Sequence, residues 1–312
     1  MTTNTFYQKM KDGTEVNVMR WIPSADDIKG IVQMSHGMGE HAARYDKMGT
    51  IFAEHGFVFC AHDHRGHGKT AIKAQESGTG DFGHLADKDG FDKVVSDLDE
   101  VLSKLKEDYP QKKTFLVGHS FGSFVSQAFI EQYGDKVDGV VLCGTAGPRL
   151  GLMRTAKFVF GLSKLFGKRH RSKFCKWCAF GSYNNHIENP KTDMDWLSRN
   201  EFNVELFNSD KWCGTLPTAG FFYDLVDGLS RIHTDAAMKR IPQKLPVYFI
   251  YGDEDPVGDY GKTIEQLASV YKANGMTDVE VKAWPKDRHE IFNEVDGDAV
   301  IEDTIKWLEK HL

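Results

Sequence analysis

The sequence has little that would suit an oxidising or membrane environment. Five cysteines among 312 residues are too few for a disulfide framework. The single Cys175-x-x-Cys178 pair lacks the second cysteine pair or histidine pair that would complete a zinc site. No run reaches the roughly 18 apolar residues that a membrane span needs. The first 21 residues contain no continuous apolar segment of a secretory signal. We therefore expect a cytoplasmic protein.

The sequence also has fewer basic than acidic residues. The chain carries 39 Lys and Arg against 45 Asp and Glu, which gives a net charge of -6. Because a net negative surface repels polyanions, we expect no nucleic-acid partner. The hydrophobic content of 40% argues against a disordered or fibrous protein. The length allows one large core, or a core with a smaller inserted domain.

Short β-branched and aromatic segments alternate with longer helical patterns along the chain. The predicted strands are Phe6–Met10, Val16–Trp21, Ile31–Ser35, Phe57–Ala61, Phe115–Val117, Val140–Cys143, Val247–Tyr251 and Val279–Trp284. The first two resemble a hairpin that turns at Asp12-Gly13, and most others are apolar on both faces. Apolar spacings of three and four predict helices at Phe91–Lys106 and Ala299–His311, and Asn274-Gly275 marks the end of another. This alternation predicts an α/β fold with a mostly parallel, doubly wound sheet.

One long segment interrupts the alternation of strands and helices. Residues 147–231 have no strand pattern, although predicted strands lie on both sides of them. We therefore predict a helical cap at 147–231, inserted between two parts of one core at residues 1–146 and 232–312. The first part of the cap, residues 149–176, contains nine Lys or Arg and no Asp or Glu. This pattern is typical either of a lid that docks on anionic lipid or of a solvated face that offsets the acidic body.

The segment Gly118–Gly122 has the sequence GHSFG, which fits the pattern G-x-S-x-G. A predicted strand precedes it, and the apolar stretch Phe121–Tyr133 follows it. A serine on such a sharp strand–turn–helix connection needs glycines two residues away on either side, because larger side chains would collide. The start of the helix also directs backbone N–H groups at developing negative charge. We predict Ser120 as a nucleophile, and the alternative is a glycine-rich turn without chemistry.

A serine nucleophile needs a general base, and the base needs an acid that holds its tautomer. In α/β-hydrolases these residues follow the chain order serine, acid, histidine. An acidic loop follows the predicted strand Val247–Tyr251. We predict Asp255 as the acid because it lies past the strand end, where it can turn toward the site, and because Pro256 stiffens its loop. Asp253 is the second choice. The base we predict is His289, in a loop after the last predicted strand.

The third predicted strand leads into a glycine-containing loop at residues 36–41, HGMGEH. In this fold one oxyanion donor is the N–H that follows the nucleophile, and the other comes from the loop after the third strand. We therefore predict the amides of Phe121 and Met38 as the donors. The three histidines within residues 62–67 lack the spacing of a zinc motif, so we predict no metal site.

Five segments together resemble the monoacylglycerol lipase and lysophospholipase branch of the α/β-hydrolases, in its bacterial form. They are HGMGEHAARY (36–45), DHRGHGKT (63–70), YPQKKTFLVGHSFGS (109–123), YGDEDPV (251–257) and the loop of His289. The resemblance covers residues 10–145 and 240–312, on both sides of the predicted cap. It implies a catalytic triad of Ser120, Asp255 and His289, with Met38 and Phe121 as oxyanion donors.

The same resemblance gives a role to Glu40 and Arg44. They match the family stretch H-G-x-G-E-H-x-x-R-Y, which implies a place near the polar end of the substrate. The alternative is that the two side chains only pair with each other. No residue of the cap is assigned.

The leading functional hypothesis is hydrolysis of an acyl ester, such as a monoacylglycerol or a lysophospholipid, through an acyl-enzyme. An esterase for short-chain or aromatic esters would use the same residues with a different cap. A non-catalytic binding protein on the same scaffold would predict a broken triad. The expected partner is a small-molecule or lipid ester, with peripheral membrane contact through the basic cap. We expect no metal or organic cofactor, and the sequence leaves the oligomeric state open.

Overall fold

Eight strands form one sheet in the computed structural model of this chain, which describes residues 1–24 and 28–312. They are β1 (Thr2–Lys9), β2 (Glu15–Ile22), β3 (Gly30–Ser35), β4 (Phe57–His62), β5 (Lys113–His119), β6 (Gly139–Cys143), β7 (Val247–Gly252) and β8 (Val279–Trp284). Their order across the sheet is β1-β2-β4-β3-β5-β6-β7-β8. β2 pairs antiparallel with both β1 and β4, whereas the strands from β4 across to β8 are parallel.

The α-helices of the described residues connect these strands. They are α1 (Asp46–Glu54), α2 (Gly68–Glu76), α3 (Gly90–Asp108), α4 (Phe121–Tyr133), α5 (Leu150–Ser163), α6 (Lys173–Phe180), α7 (Glu201–Ser209), α8 (Ala219–Ile232), α9 (Asp235–Met238), α10 (Lys262–Ala273) and α11 (Gly297–Lys310). Short 3₁₀ turns lie at Ala42–Tyr45, Gly134–Lys136, Lys164–Phe166, Asp195–Leu197 and Ile291–Asn293. Within residues 1–24 and 28–312, the helices are all too short or too polar to cross a bilayer.

Helices cover the sheet on both faces because its central strands are apolar on both sides. In β5, Leu116 packs in a cluster that includes Val94 of α3 and Val125 of α4. Its neighbours Phe115 and Val117 point the other way, as alternate residues of a strand do, and pack with α1 and α11. This three-layer arrangement confirms the predicted α/β fold with a mostly parallel, doubly wound sheet.

Between β6 and β7 the described chain leaves the sheet and forms α5 to α9. Phe160 of α5, Cys175 of α6 and Phe222 of α8 pack together in a cluster of their own. The last long helix, α8, also contacts the core helices α3 and α4. A helical insertion at this place is what the sequence predicts, whereas the bounds 1–146, 147–231 and 232–312 remain a prediction.

The parallel strands all direct their carboxyl ends to one edge of the sheet. The loops after β3, β5, β7 and β8 carry Met38, Ser120, Asp255 and His289 to this edge. Ligands of open α/β sheets bind in the crevice outside the carboxyl ends of the strands. The fold therefore gathers the sequence-predicted site residues, which are distant along the chain, into one region.

Candidate active site

Ser120 lies on the turn between β5 and α4 in a strained backbone conformation, with φ 52° and ψ -121°. A Cβ on Gly118 would lie 2.7 Å from the carbonyl oxygen of Gly122, and a Cβ on Gly122 would overlap the carbonyl oxygen of Ser35. Both glycines of the motif are therefore required by close backbone approach. The N–H of Ser120 donates to the carbonyl of Cys143 at 3.0 Å, which anchors the turn on β6.

The structure brings Asp255 into contact with His289. Their side chains are joined by a hydrogen bond of 2.9 Å from Nδ1 of the histidine to Oδ2 of the carboxylate. Both residues are buried, and the second carboxylate oxygen accepts the N–H of Val257 at 2.9 Å. Asp253 instead lies on the surface and accepts the N–H of Lys286 at 2.6 Å. Of the two acids considered from the sequence, only Asp255 contacts the histidine.

Packing fixes the imidazole of His289 in one orientation. Its ring centroid lies 4.9 Å from that of His119 and 5.0 Å from that of Trp196. Gly144 leaves room for the ring, since a Cβ there would lie 3.1 Å from its Cε1. Because Nδ1 donates to Asp255, Nε2 carries a free lone pair. This buried atom has no hydrogen-bond partner in the described part of the chain.

Ser120 and His289 line the same cavity, although their side chains are not hydrogen-bonded to each other among residues 1–24 and 28–312. Contacts between nucleophile and base are often long without substrate and shorten in the reactive complex. Nε2 is thus available to accept a proton from a group in the cavity. The arrangement can support nucleophilic attack by a serine hydroxyl.

The predicted oxyanion donors belong to two loops that meet at this cavity. Met38 and Phe121 line it together with Ser120. Gly39 has φ 69°, a left-handed conformation that suits glycine, and its carbonyl accepts the N–H of Gly214 at 2.9 Å. The insertion between β6 and β7 therefore helps to hold the loop that carries Met38.

Glu40 and Arg44 pair with each other behind the oxyanion loop. Nη1 of Arg44 donates to Oε2 of Glu40 at 2.9 Å, and both side chains are largely buried. Arg44 also binds both carboxylate oxygens of Glu290 at 2.8 Å. Although burial opposes its ionisation, the hydrogen bond from His119 and the charge of Arg44 hold the pKa of Glu40 well below its usual value. Glu40 borders the cavity, whereas the guanidinium of Arg44 is occupied by two carboxylates.

The cavity has a volume of about 880 Å³, within the range of small-molecule sites. Most of its lining side chains are apolar and come from the insertion. They include Leu152, Met153, Ala156, Phe160, Trp177, Phe180, Phe222, Leu225, Val226 and Leu229. The edge of the sheet that carries Ser120 and His289 therefore opens into an apolar cavity.

The histidines at the end of β4 and in the loop after it form contacts within the protein. Burial lowers the pKa of His62 and of His67 to about 4, so both are neutral at pH 7. His62 accepts a hydrogen bond from Gln33 at 3.0 Å, and His64 contacts the hydroxyl of Ser35 at 3.1 Å.

Two other groups have side chains of the kind that ligate metals. They are His41, Asp210 and Cys213, and Asp278, Glu280 and His311, with donor atoms within 4.8 Å of one another. Hydrogen bonds already join His41 to Asp210 at 2.8 Å and His311 to Asp278 at 3.1 Å. These contacts account for both groups as polar pairs of the fold.

Sequence reasoning missed four residues that support this site: His119, Trp196, Asn203 and Glu290. Two of them are chain neighbours of predicted site residues, since His119 precedes Ser120 and Glu290 follows His289. That proximity was the available signal. Trp196 and Asn203 lie in the insertion, where no pattern in the sequence marks them.

Comparisons with known proteins give consistent matches. The model of the family described as serine aminopeptidase, S33, matches residues 26–296 of this chain. The monoacylglycerol lipase of Mycolicibacterium smegmatis is 29% identical, over 94% of this chain and 92% of that protein. A thermostable carboxyl esterase from Bacillus coagulans, solved in complex with glycerol, is 31% identical with a TM-score of 0.89 and 99% of each chain covered.

A monoglyceride lipase variant from Saccharomyces cerevisiae, solved with a substrate analogue, has the same fold. Its TM-score is 0.76 at 20% identity, over 100% of this chain and 95% of that one. The predicted α/β-hydrolase fold and the resemblance to monoacylglycerol lipases are confirmed.

Proposed function

Because this chain belongs to the family described as serine aminopeptidase, S33, and is a hydrolase, we propose a substrate class for it. The proposed reaction is the cleavage of carboxylic esters that carry an acyl chain. The proposed substrate is a monoacylglycerol or a lysophospholipid-like ester. The observation that carries the proposal is the apolar cavity of about 880 Å³ that contains both Ser120 and the free Nε2 of buried His289. An acyl chain is the kind of group such a lining stabilises, since each buried methylene contributes about 0.8 kcal/mol.

The proposed reaction begins when Oγ of Ser120 attacks the ester carbonyl carbon and Nε2 of His289 takes the hydroxyl proton. The amides of Met38 and Phe121 donate hydrogen bonds to the oxyanion, while Asp255 stabilises the imidazolium at Nδ1. The imidazolium then gives its proton to the departing alcohol as the C–O bond breaks. Finally, a water that gives a proton to Nε2 attacks the acyl carbon, the bond from that carbon to Oγ of Ser120 breaks, and the imidazolium returns the proton to Oγ as the acid leaves.

Chain length is the direct test of an acyl-ester substrate. We expect kcat/KM on a series of p-nitrophenyl esters to rise by about fourfold per methylene while the chain remains inside the cavity. Ala156→Phe, which fills part of the cavity from α5, should lower activity on long chains and spare the acetyl ester. Thr155→Phe is the matched control, because this neighbouring side chain is exposed. An optimum at the acetyl ester would contradict an acyl-chain substrate.

A second candidate function is an esterase for short-chain or aromatic esters. It is favoured by the likeness to the carboxyl esterase from Bacillus coagulans, which covers 99% of this chain. The same triad would serve both functions, so the chain-length series decides between them.

The family description also names aminopeptidases. A peptidase of that kind needs a free anion for the substrate ammonium group. The buried carboxylates of Glu40 and Glu290 beside the catalytic residues are both paired with Arg44, and the third carboxylate of the cavity lining, Asp193, is exposed to solvent. We therefore expect an aminoacyl p-nitroanilide to be turned over far more slowly than a p-nitrophenyl ester. The reverse preference would contradict the ester proposal.

We also propose peripheral contact of the insertion with a lipid surface. The segment 150–177 exposes eight large apolar side chains, by fractions from 37% to 80%. These side chains, called the apolar patch below, are Leu150, Leu152, Phe158, Leu162, Leu165, Phe166, Phe174 and Trp177. Because Leu152 and Trp177 also line the cavity, the patch adjoins its opening. Several large apolar side chains exposed within one segment are typical of an interaction site.

Several cations of the insertion contact other parts of the protein and are therefore not free to contact lipid. Lys168 donates to the carbonyl of Asp87 at 2.5 Å, and Arg169 contacts the same residue at 3.4 Å. Arg171 forms a salt bridge of 3.0 Å with Asp81. All three side chains contact the core, and the positive charges of Arg169 and Arg171 are paired with its carboxylates.

Lys164 lies over the ring of Tyr223, with its Nζ 3.3 Å from the ring centroid. Three other cations of the segment form neither a salt bridge nor a cation–π contact with any residue in 1–24 or 28–312. They are Arg154, Lys173 and Lys176, and two of them border the cavity. We assign the electrostatic part of the docking to them, at about 1 kcal/mol each near an anionic surface.

Co-sedimentation with vesicles tests the docking. We expect binding to vesicles that contain phosphatidylglycerol, weaker binding to pure phosphatidylcholine, and a decline as salt rises. Replacing Leu165 and Phe166 with Ser should reduce binding. Phe202→Ser is the control, because it removes an apolar side chain that is 66% exposed on α7, outside the apolar patch, and it should leave vesicle binding unchanged. Wild-type protein that stays in the supernatant at low salt would contradict the proposal.

A further inference from the structure

One buried polar network joins the three loops of the proposed catalytic machinery. Three of the five predicted machinery residues have a chain neighbour in the network: Gly37 precedes Met38, His119 precedes Ser120, and Glu290 follows His289. Glu40 and Arg44 connect these neighbours, as the distances below show. The network therefore contacts the oxyanion loop, the nucleophile turn and the base loop without touching the reacting atoms.

The carboxylate of Glu40 holds the first two loops together. Its Oε1 accepts the N–H of Gly37 at 2.6 Å, the hydroxyl of Tyr45 at 2.9 Å and Nδ1 of His119 at 3.1 Å. The start of the oxyanion loop and the residue before Ser120 are thus fixed to one atom. Glu40 is 2% exposed, so water does not compete for these bonds.

The guanidinium of Arg44 joins the base loop to this centre. It binds both oxygens of Glu290 at 2.8 Å and Oε2 of Glu40 at 2.9 Å. The planar fork of arginine suits such bidentate contacts, which lysine cannot reproduce. Asn203 of α7 donates to Glu290 at 2.7 Å and accepts from Arg44 at 3.1 Å, so the insertion is bound to the same centre.

The partners of His119 require protons on both of its ring nitrogens. Nδ1 faces the carboxylate of Glu40 at 3.1 Å, and Nε2 faces the backbone carbonyl of His289 at 3.2 Å. Nδ1 also lies 3.2 Å from the hydroxyl of Tyr45, which donates its own proton to Glu40. Because the carboxylate and the carbonyl can only accept, both nitrogens donate, and the ring is then an imidazolium. Burial opposes this charge, but the hydrogen bond and the charge of Glu40 raise the pKa of His119.

The charges of the network then balance. Two carboxylates, Glu40 and Glu290, face two cations, Arg44 and the imidazolium of His119. Buried charges persist in proteins when they are paired in this way. Bidentate and charge-paired contacts of this kind restrict the geometry of the groups that they join, and here they join residues of the three loops.

We propose that Arg44, within the neutral network it forms with Glu40, His119 and Glu290, is a positioning residue that keeps the oxyanion loop, the nucleophile turn and the base loop in register. This inference rests on the proposed function, since it assigns Arg44 an effect on the reaction of Ser120. It differs from the role implied by family resemblance, in which Arg44 would bind the polar end of the substrate.

Two substrates with the same acyl chain separate these roles. One is a monoacylglycerol, which has a polar head group, and the other is the corresponding p-nitrophenyl ester, which lacks it. For Arg44→Lys, positioning predicts a drop in kcat on the order of 10²-fold on both substrates with KM near the wild-type value. A head-group contact instead predicts a higher KM on the monoacylglycerol alone, and that result would overturn the proposal.

The matched control is another buried bidentate ion pair, whose two residues are not part of the cavity lining. Arg65, in the loop after β4, binds Asp97 of α3 at 2.5 and 2.7 Å, and Asp97 is 1% exposed. Arg65→Lys should lower the melting temperature at least as much as Arg44→Lys, yet leave kcat unchanged. Equal losses of kcat in the two variants would mean that general destabilisation explains the effect, and positioning would be rejected.

A measurement on the wild-type protein covers the case in which the Arg44 variants do not fold. Nitrogen NMR of labelled histidine should show, among the histidine signals at pH 7, an imidazolium that disappears in His119→Gln. A neutral His119 would contradict the charge-balanced network. If wild-type protein hydrolyses no ester at all, the proposed function fails, whereas an active wild type with a fully active Arg44→Lys variant refutes only the positioning role.

Discussion

The change Asp255→Asn tests whether Asp255 is the acid that orients His289, and the hydrogen bonds of Asp255 predict its effect. Oδ1 of Asp255 accepts the N–H of Val257 at 2.9 Å, and Oδ2 accepts Nδ1–H of His289 at 2.9 Å. In the variant, the amide oxygen must remain opposite the Val257 N–H, because that buried donor would otherwise lose its acceptor. The NH₂ group of Asn then faces Nδ1 of His289. Two donors cannot share that contact, so the imidazole must move its proton to Nε2.

The consequence is loss of the general base rather than loss of the fold. With a proton on Nε2, His289 can no longer accept the hydroxyl proton of Ser120. Such a tautomer change lowers kcat by about 10⁴-fold in serine hydrolases, which corresponds to about 5 kcal/mol in the activation barrier. The assay is steady-state hydrolysis of a p-nitrophenyl ester, with thermal unfolding measured alongside.

Asp253→Asn is the matched control, since the exposed side chain of Asp253 accepts a hydrogen bond only from the N–H of Lys286 among the described residues. We expect this variant to keep most of its activity. The reasoning would be refuted if Asp255→Asn kept kcat within tenfold of wild type, or if Asp253→Asn lost more activity than Asp255→Asn.

Two further predictions concern packing and protonation. Gly122→Ala should abolish folding or activity, because the added Cβ would overlap the carbonyl of Ser35. Gly151→Ala is the control and should be neutral or slightly stabilising, because the space around Gly151 is open. The solubility and the esterase activity of the two variants check this prediction. Burial raises the pKa of Glu131 to about 8, so the folded state binds a proton that the unfolded state loses above about pH 4.5. At pH 9 the free energy of unfolding of Glu131→Gln should therefore be higher than that of wild type, and the difference should shrink as the pH falls toward 4.5. A difference that stays constant across this pH range would contradict a protonated Glu131.

The strands were predictable because their signal is local. Each of the eight predicted strands overlaps an observed one, and the stretch Phe121–Tyr133 is helix α4. Apolar segments bounded by turn residues depend on neighbours within a few positions. The chain order of serine, acid and histidine then placed Ser120, Asp255 and His289 at one edge of the sheet.

The supporting network could not be predicted because its contacts are distant along the chain. Glu290 pairs with Arg44 across 246 positions, and Asn203 reaches Glu290 from the insertion across 87. A sequence pattern shows that Glu40 and Arg44 are four residues apart, but it does not show a third charge that occupies the guanidinium.

The basic segment of the insertion illustrates the same limit. Its nine cations suggest a free positive face when the sequence is considered by itself. In the fold, Arg169 and Arg171 meet Asp87 and Asp81, which precede α3. The exposed apolar side chains of residues 150–177, rather than the count of cations, become the stronger indication of contact with lipid.

The central claim is that Ser120 carries the acyl group during ester hydrolysis, and covalent trapping tests it most directly. Wild-type protein mixed rapidly with a p-nitrophenyl ester and quenched in acid should show the mass of one acyl group, mapped by peptide mass spectrometry to the peptide that contains Ser120. A fluorophosphonate should label the same residue, and Ser120→Ala should lose both adducts together with at least about 10³-fold in kcat. An adduct on another residue, or a Ser120→Ala protein that turns over at the wild-type rate, would contradict the account.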